Sequence, residues 1–203
     1  MAEYSTTVRE DIEWLGIRWH DEASSAGLPR VLLIGDSIVV GHGTMLRDRL
    51  RGRWGVDYFA TSKVVSDHEY MPDLEFMMAR HDYQAIIFNN GLHGSQVADT
   101  TYAAALAAVV AVLKARTAHL VWRNSTPCYV LPGREDKGWT ERVQVRNRLA
   151  AAVMAAAGVP ILDAYALLAG QPELSSDGVH FTAAGYAKLV AAEADDLEGL
   201  RVR

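Results

Sequence analysis

Cysteine is nearly missing: Cys128 is the single one in 203 residues, which excludes an intrachain disulfide and a cysteine-based metal cluster. Blocks of like charge are missing too. Twenty Lys and Arg against 25 Asp and Glu leave a net charge of −5, and the two signs are interspersed. That pattern argues against nucleic acid or an anionic membrane surface as the main partner and favours a small, neutral substrate. The longest apolar stretch, Ala103 to Leu113, is Ala-rich and far short of the about 20 residues that span a bilayer, so it reads as a core helix. Met1-Ala2-Glu3-Tyr4-Ser5-Thr6-Thr7 lacks the basic start and apolar centre of a secretory signal. The expected localisation is cytoplasmic, or secreted if a signal has been removed. No Gly-rich phosphate loop occurs, and His42, His68 and His81 stand near no second ligand at metal-binding spacing. Neither a cofactor nor a metal is therefore expected.

What is present is an apolar half: 50% of the residues are hydrophobic, and no repeat, low-complexity tract or linker divides them. One domain over residues 1–203 is the expectation, with its oligomeric state left open. Apolar runs of strand length recur at Val31 to Ile34, Val56 to Ala60, Ala85 to Phe88, His119 to Trp122 and Val159 to Leu162. They are apolar at nearly every position, so they read as strands buried on both faces, the mark of a parallel sheet covered by helices. The intervening helices are placed at Thr44 to Arg53, Leu74 to Arg80, Thr100 to Arg116, Thr140 to Ala157 and Thr182 to Ala194. Gly158 before Val159-Pro160 reads as a helix stop. Val8, Ile12, Leu15 and Trp19 share one helical face, so residues 1–29 are expected to be a helical extension packed on an α/β domain.

Two short segments carry the chemistry. Gly35-Asp36-Ser37 follows the first apolar run, and Asp177-Gly178-Val179-His180 precedes the last helix. A serine hydroxyl is a poor nucleophile at neutral pH. It needs a base within hydrogen-bond reach, itself oriented by a third group. Asp177 three residues before His180 can hold one ring nitrogen and leave the other facing Ser37. The plain alternatives are a βα turn with a helix N-cap for the first segment and a surface coincidence for the second. Asp36 reads as an orienter of its turn. The Gly-x-Ser-x-Gly elbow is excluded, because Val39 occupies the second glycine position. Ligands in open parallel sheets bind beyond the carboxyl ends of the strands, where these segments fall. The loop Pro132 to Gly138, with charges bracketed by Pro and Gly, is placed to rim such a pocket.

Leu33-Ile34-Gly35-Asp36-Ser37-Ile38 and Ser176-Asp177-Gly178-Val179-His180-Phe181-Thr182 resemble the first and last blocks of the SGNH (GDSL-type) hydrolase superfamily. The likeness runs over roughly residues 30 to 195. It implies a flavodoxin-like three-layer α/β/α sandwich with a five-stranded parallel sheet. It also implies that Ser37 is the nucleophile, His180 the general base and Asp177 its partner. In the third block, Phe88-Asn89-Asn90-Gly91-Leu92-His93-Gly94 departs from the usual Gly-x-Asn-Asp and resembles a Gly-Leu-His branch. There His93 would donate to the oxyanion as a neutral imidazole, with Asn90 or Asn89 as rivals. The second block, Ala60-Thr61-Ser62-Lys63, has no glycine. Ser62 is the expected backbone donor with Lys63 as the alternative, and the N–H of Ser37 completes the hole. Arg123 or Asn124, in the fourth block, would line the pocket.

The resemblance implies a cofactor-independent serine esterase acting on small acyl esters, acetyl first, on a carbohydrate or glycoside. Lysophospholipase, thioesterase or acyltransferase chemistry with the same triad is the enzymatic alternative. A non-catalytic binding module on the same fold is the alternative of another class.

Overall fold

The computed structural model describes residues 9–20 and 22–200. In chain order the elements are β1 (Leu15–Arg18), α1 (Glu22–Ser25), β2 (Arg30–Gly35), α2 (Ser37–Arg49), β3 (Gly55–Thr61), α3 (Tyr70–Met78), β4 (Ala85–Phe88), α4 (Asp99–Arg116), β5 (His119–Arg123), α5 (Trp139–Ala157), β6 (Ile161–Leu162), α6 (Ala164–Leu168) and α7 (Ala183–Leu200). The strands form one sheet in the order β1-β3-β2-β4-β5-β6, parallel throughout except for β1.

The two-sided burial read from composition has a simple structural form. Successive side chains of a strand point to opposite faces, and in β2 both sets are apolar. Leu32 and Ile34 join Phe59, Phe88 and Trp122 in a core under α3, α4 and α5. Val31 and Leu33 join Val56, Tyr58 and Ile87 in a second core under α2 and α7. The side chains of Val31 through Ile34 in β2 are at most 1% exposed, so these positions tolerate no polar substitution on either face. No helix among the described residues is long and apolar enough to cross a membrane.

Two expectations need correction. The sheet has six strands rather than five, and the sixth comes from the segment expected to be helical. Leu15–Arg18 pairs antiparallel with Tyr58 to Thr61 at the edge of β3. Ile12 is 80% exposed and Leu15 45%, so no apolar helical stripe exists there; Val8 lies outside the described residues. The spacing of three and four was incidental, and the open edge of β3 supplied the hydrogen-bond partners that decide the conformation of so short a segment.

Helix α2 also starts earlier than its periodic residues indicate, at Ser37 instead of Thr44. Ile38, Val39, Val40, Gly41 and Gly43 are poor helix formers, which hid these first two turns. Packing explains the glycine at 41: a Cβ there would lie 2.2 Å from the Tyr186 ring of α7. Asp36 caps the helix, its Oδ1 accepting the Ile38 N–H at 2.9 Å.

Behind this helix lies a buried charged cluster. His42 donates from Nδ1 to the Ile38 carbonyl at 2.6 Å, and its Nε2 sits 2.9 Å from Glu193 on α7. Arg123, at the end of β5, donates to the same carboxylate at 2.9 Å. Burial raises the cost of the Glu193 charge, but His42 and Arg123 outweigh it and lower its pKa. Glu193→Ala would strand the Arg123 guanidinium in the core. It is expected to cost about 3–5 kcal/mol, read as a lower urea midpoint at unchanged m-value; a shift under about 1 kcal/mol would contradict this account.

Candidate active site

The chain rises through β2 and turns at Gly35-Asp36, so that Ser37 opens α2 at the carboxyl end of the sheet. Its N–H belongs to the first helical turn, where N–H groups have no intrahelical acceptor. Strands β3 and β4 flank β2 on opposite sides, and the crevice at such a reversal of strand order is where open α/β sheets bind ligands.

The second segment is a compact loop between Ser175 and Phe181, which form an isolated antiparallel bridge. Gly178 has φ +100°, and a Cβ there would meet the Tyr129 carbonyl at 2.5 Å; only glycine fits. Asp177 organises the rest. Its Oδ1 accepts the N–H groups of Val179 and His180 at 2.9 and 2.8 Å, and its Oδ2 lies 2.7 Å from His180 Nδ1. His180 Nε2 is then 2.8 Å from Ser37 Oγ.

Proton positions follow from these partners. Burial opposes the Asp177 charge, yet the His180 ring and the two N–H groups outweigh it and hold the carboxyl down to about 2. Near neutral pH it is a carboxylate and can only accept, so His180 Nδ1 carries the proton and Nε2 presents its lone pair to the Ser37 hydroxyl. Ser37, His180 and Asp177 thus form one directed hydrogen-bond chain, open to a cleft of about 880 Å³.

The expected oxyanion groups are less well matched. The Ser62 N–H donates to the Trp14 carbonyl at 3.2 Å, extending the β1–β3 pairing, and the Lys63 N–H donates to Thr61 Oγ1 at 3.1 Å. Neither is free to serve as the backbone donor. Asn90 is turned to its neighbours: Nδ2 donates to the Lys63 carbonyl at 2.9 Å and Oδ1 accepts the Val65 N–H at 3.1 Å, and it does not line the cleft. The Asn89 amide donates to the Arg123 carbonyl and to Ser125 Oγ. Both asparagines tie loops together and leave His93, which lines the cleft with Ser37 and His180. Arg123 and Asn124 do not line that cleft but border a small adjoining cavity of about 10 Å³, together with Asp36 and Ile38. Arg123 is in the buried cluster, and Asn124 bonds Asp163 and the Tyr165 N–H.

His93 Nδ1 lies 3.0 Å from Glu10 Oε2, and Glu10 Oε1 accepts the Gly94 N–H at 2.7 Å. Trp14 packs edge-on against the His93 ring, centroids 6.4 Å apart. Burial disfavours the imidazolium, but Glu10 and Asp36 outweigh it and raise the His93 pKa. Below, Arg146 of α5, 1% exposed, pins the loop through the Gly94 and Val97 carbonyls at 3.1 and 3.0 Å. The loop from Gly133 to Lys137 lines the cleft as expected, together with Trp139. Glu10 and Trp14 were not foreseen. They belong to no motif, and only the pairing of β1 brings them to the site.

A parallel sheet with a serine, histidine and aspartate linked at its carboxyl edge defines the class, an α/β serine hydrolase. More specifically, the chain belongs to the GDSL-like lipase/acylhydrolase family, whose model matches residues 33–188. No curated protein matches it in sequence. Solved structures share the fold. A catalytic mutant of an acetylxylan esterase from Geobacillus stearothermophilus has a TM-score of 0.65 at 15% identity, covering 83% of this chain and 93% of its own. A lipase/acylhydrolase from Enterococcus faecalis has 0.65 at 19%, covering 85% and 96%. An α/β hydrolase enzyme from the metagenome of Lake Arreo, Spain, has 0.62 at 18%, covering 83% and 94%.

Proposed function

We propose that this esterase removes small acyl groups, acetyl first, from a carbohydrate or glycoside. Ser37 is the nucleophile, His180 the base and Asp177 its orienter. The observation that carries the reading is the unbroken chain from Ser37 Oγ through both ring nitrogens of His180 to the Asp177 carboxylate, with distances of 2.8 and 2.7 Å. Oγ attacks the ester carbonyl carbon as its proton passes to His180 Nε2. The oxyanion forms beside the Ser37 N–H and His93. On collapse the carbon–oxygen bond to the alcohol breaks, and His180 returns the proton to the leaving oxygen. Water, deprotonated by the same Nε2, then releases the acid from Ser37.

Support for the substrate class comes from the lining. Trp14 and Trp139 line the cleft beside the charged loop residues Arg134 to Lys137, a mixture suited to a polyhydroxylated ring. Behind Ser37, the small cavity among Ile38, Leu92, Val143 and Val179 is about 10 Å³, about one water's worth, so no acyl chain extends inward there. One related structure is an acetylxylan esterase.

A fluorophosphonate probe is expected to label the folded protein, and Ser37→Ala to abolish both labelling and ester hydrolysis. Absence of labelling would sink the serine mechanism. Among p-nitrophenyl esters, acetate should be cut faster than octanoate; the reverse order would overturn the small-acyl assignment, whatever the labelling result.

A further inference from the structure

We propose that Glu10 is a positioning residue of the active site: its carboxylate grips His93 at Nδ1, so that His93 meets the oxyanion as an imidazolium, through Nε2–H. The inference deepens the reading above and rests on it for the role of His93. It comes from hydrogen-bond bookkeeping. A carboxylate accepts only, so the 3.0 Å contact with Nδ1 places a proton on that nitrogen. In the neutral ring Nε2 would then be a bare lone pair, which repels developing negative charge. Only the doubly protonated ring both satisfies Glu10 and donates into the cleft. This reverses the expectation of a neutral imidazole donor.

The grip is built on both sides. Glu10 Oε1 takes the Gly94 N–H at 2.7 Å, so one carboxylate fixes the ring and the main chain next to it. Gly94 has φ +80°, and Arg146 holds its carbonyl from below. The segment that carries Glu10 is anchored two ways. Trp14 exchanges bonds with Ser62, and Arg9 pairs with Glu69 at 3.0 Å. All of it lies before the family-matched residues 33–188, so the N-terminal edge of the sheet, ahead of the matched region, supplies part of the catalytic surround.

The charges facing His93 are Glu10 from the segment before β1 and Asp36 from the turn before α2. Arg142 of α5 faces Glu10, and Arg134, Lys137 and His180 line the same cleft with the acids Glu135, Asp136 and Asp177. The two carboxylates favour the cation. The cationic loop residues and Arg142 oppose it. Catalysis then needs His93 charged, so the rate falls on the alkaline side as His93 loses its proton, and that falling limb belongs to His93.

In Glu10→Gln the falling limb should move to lower pH by about one to three units, with Glu10→Asp retaining most of the wild-type position. The paired measurement is an NMR titration of the His93 ring in the full-length Ser37→Ala protein, with and without Glu10→Gln, His93 being assigned from the His93→Gln spectrum. Support is a His93 midpoint that falls in Glu10→Gln together with the kinetic limb. A midpoint unchanged by Glu10→Gln, or a wild-type midpoint below the ordinary imidazole value of about 6.5, overturns the role of Glu10 and leaves the Ser37 mechanism intact. A midpoint that falls while the kinetic limb stays put overturns the imidazolium donor and removes His93 from the oxyanion site. Fluorophosphonate labelling of Glu10→Gln at Ser37 confirms that the variant is folded, and the wild-type titration tests the proposal without any variant at Glu10.

Discussion

His180→Ala is expected to lower kcat on the order of 10⁴–10⁶-fold while leaving the protein folded. The loss is large because, among the described residues, no second base is bonded to Ser37: the side-chain partner of Oγ is Nε2, at 2.8 Å. Without it the hydroxyl must attack with its proton in place, and the leaving alcohol departs without a donor. What survives is binding and the oxyanion donors, worth a residual rate above that in water. The fold should survive because the loop is held by main-chain groups. The His180 N–H bonds Asp177, and its carbonyl accepts from the Ser176 N–H at 2.8 Å and from Ser175 Oγ at 3.0 Å. Alanine keeps all three, and the imidazole it removes is 39% exposed. Steady-state hydrolysis of p-nitrophenyl acetate and a thermal melt check both halves. A loss below tenfold, with chemistry rate-limiting, would take the base assignment away from His180.

The parts of this molecule legible in its sequence are those where the physics is local or uniform. β2, β4 and β5 are apolar at successive positions because both faces are covered, and no other element of that length needs such a pattern. Ser37, Asp177 and His180 fall in short segments whose geometry their own backbone determines: Asp177 reaches His180 within one turn, and Gly178 has the φ that the turn requires. The oxyanion side was not legible. Whether Ser62 or Lys63 has a free N–H depends on which strand pairs with the edge of β3, and β1 is a four-residue edge strand whose apolar spacing imitates a helix. Glu10 is harder still. In the sequence it is one of 25 acids, and only an 83-residue contact with His93 separates it from the rest.

Asp177→Asn is the sharper test of how the triad works, because it changes a proton position and little else. Asparagine keeps Oδ1, so the N–H groups of Val179 and His180 retain their acceptor at 2.9 and 2.8 Å and the loop keeps its shape. The other end of the side chain becomes NH₂, which donates where the carboxylate accepted. His180 Nδ1 must then present its lone pair, and in the neutral ring the proton moves to Nε2, facing Ser37 Oγ. A nitrogen that already carries hydrogen cannot take the serine proton, so kcat should fall about 10⁴-fold with the thermal midpoint near pH 7 almost unchanged. Acid removes what difference in stability the two proteins have. The Asp177 pKa is lowered to about 2 in the fold, so its contribution is present above the unfolded carboxylate pKa, about 3.9, and is lost as pH falls from there through about 2. The side chain is 45% exposed, which keeps that contribution small, and the asparagine variant lacks it. A variant retaining more than a tenth of the wild-type kcat would show that the carboxylate is dispensable for setting the tautomer. Asp177→Ala, which also removes the acceptor for two N–H groups, should lose stability as well as rate, and the contrast between the two variants separates the electrostatic role of Asp177 from its part in shaping the loop.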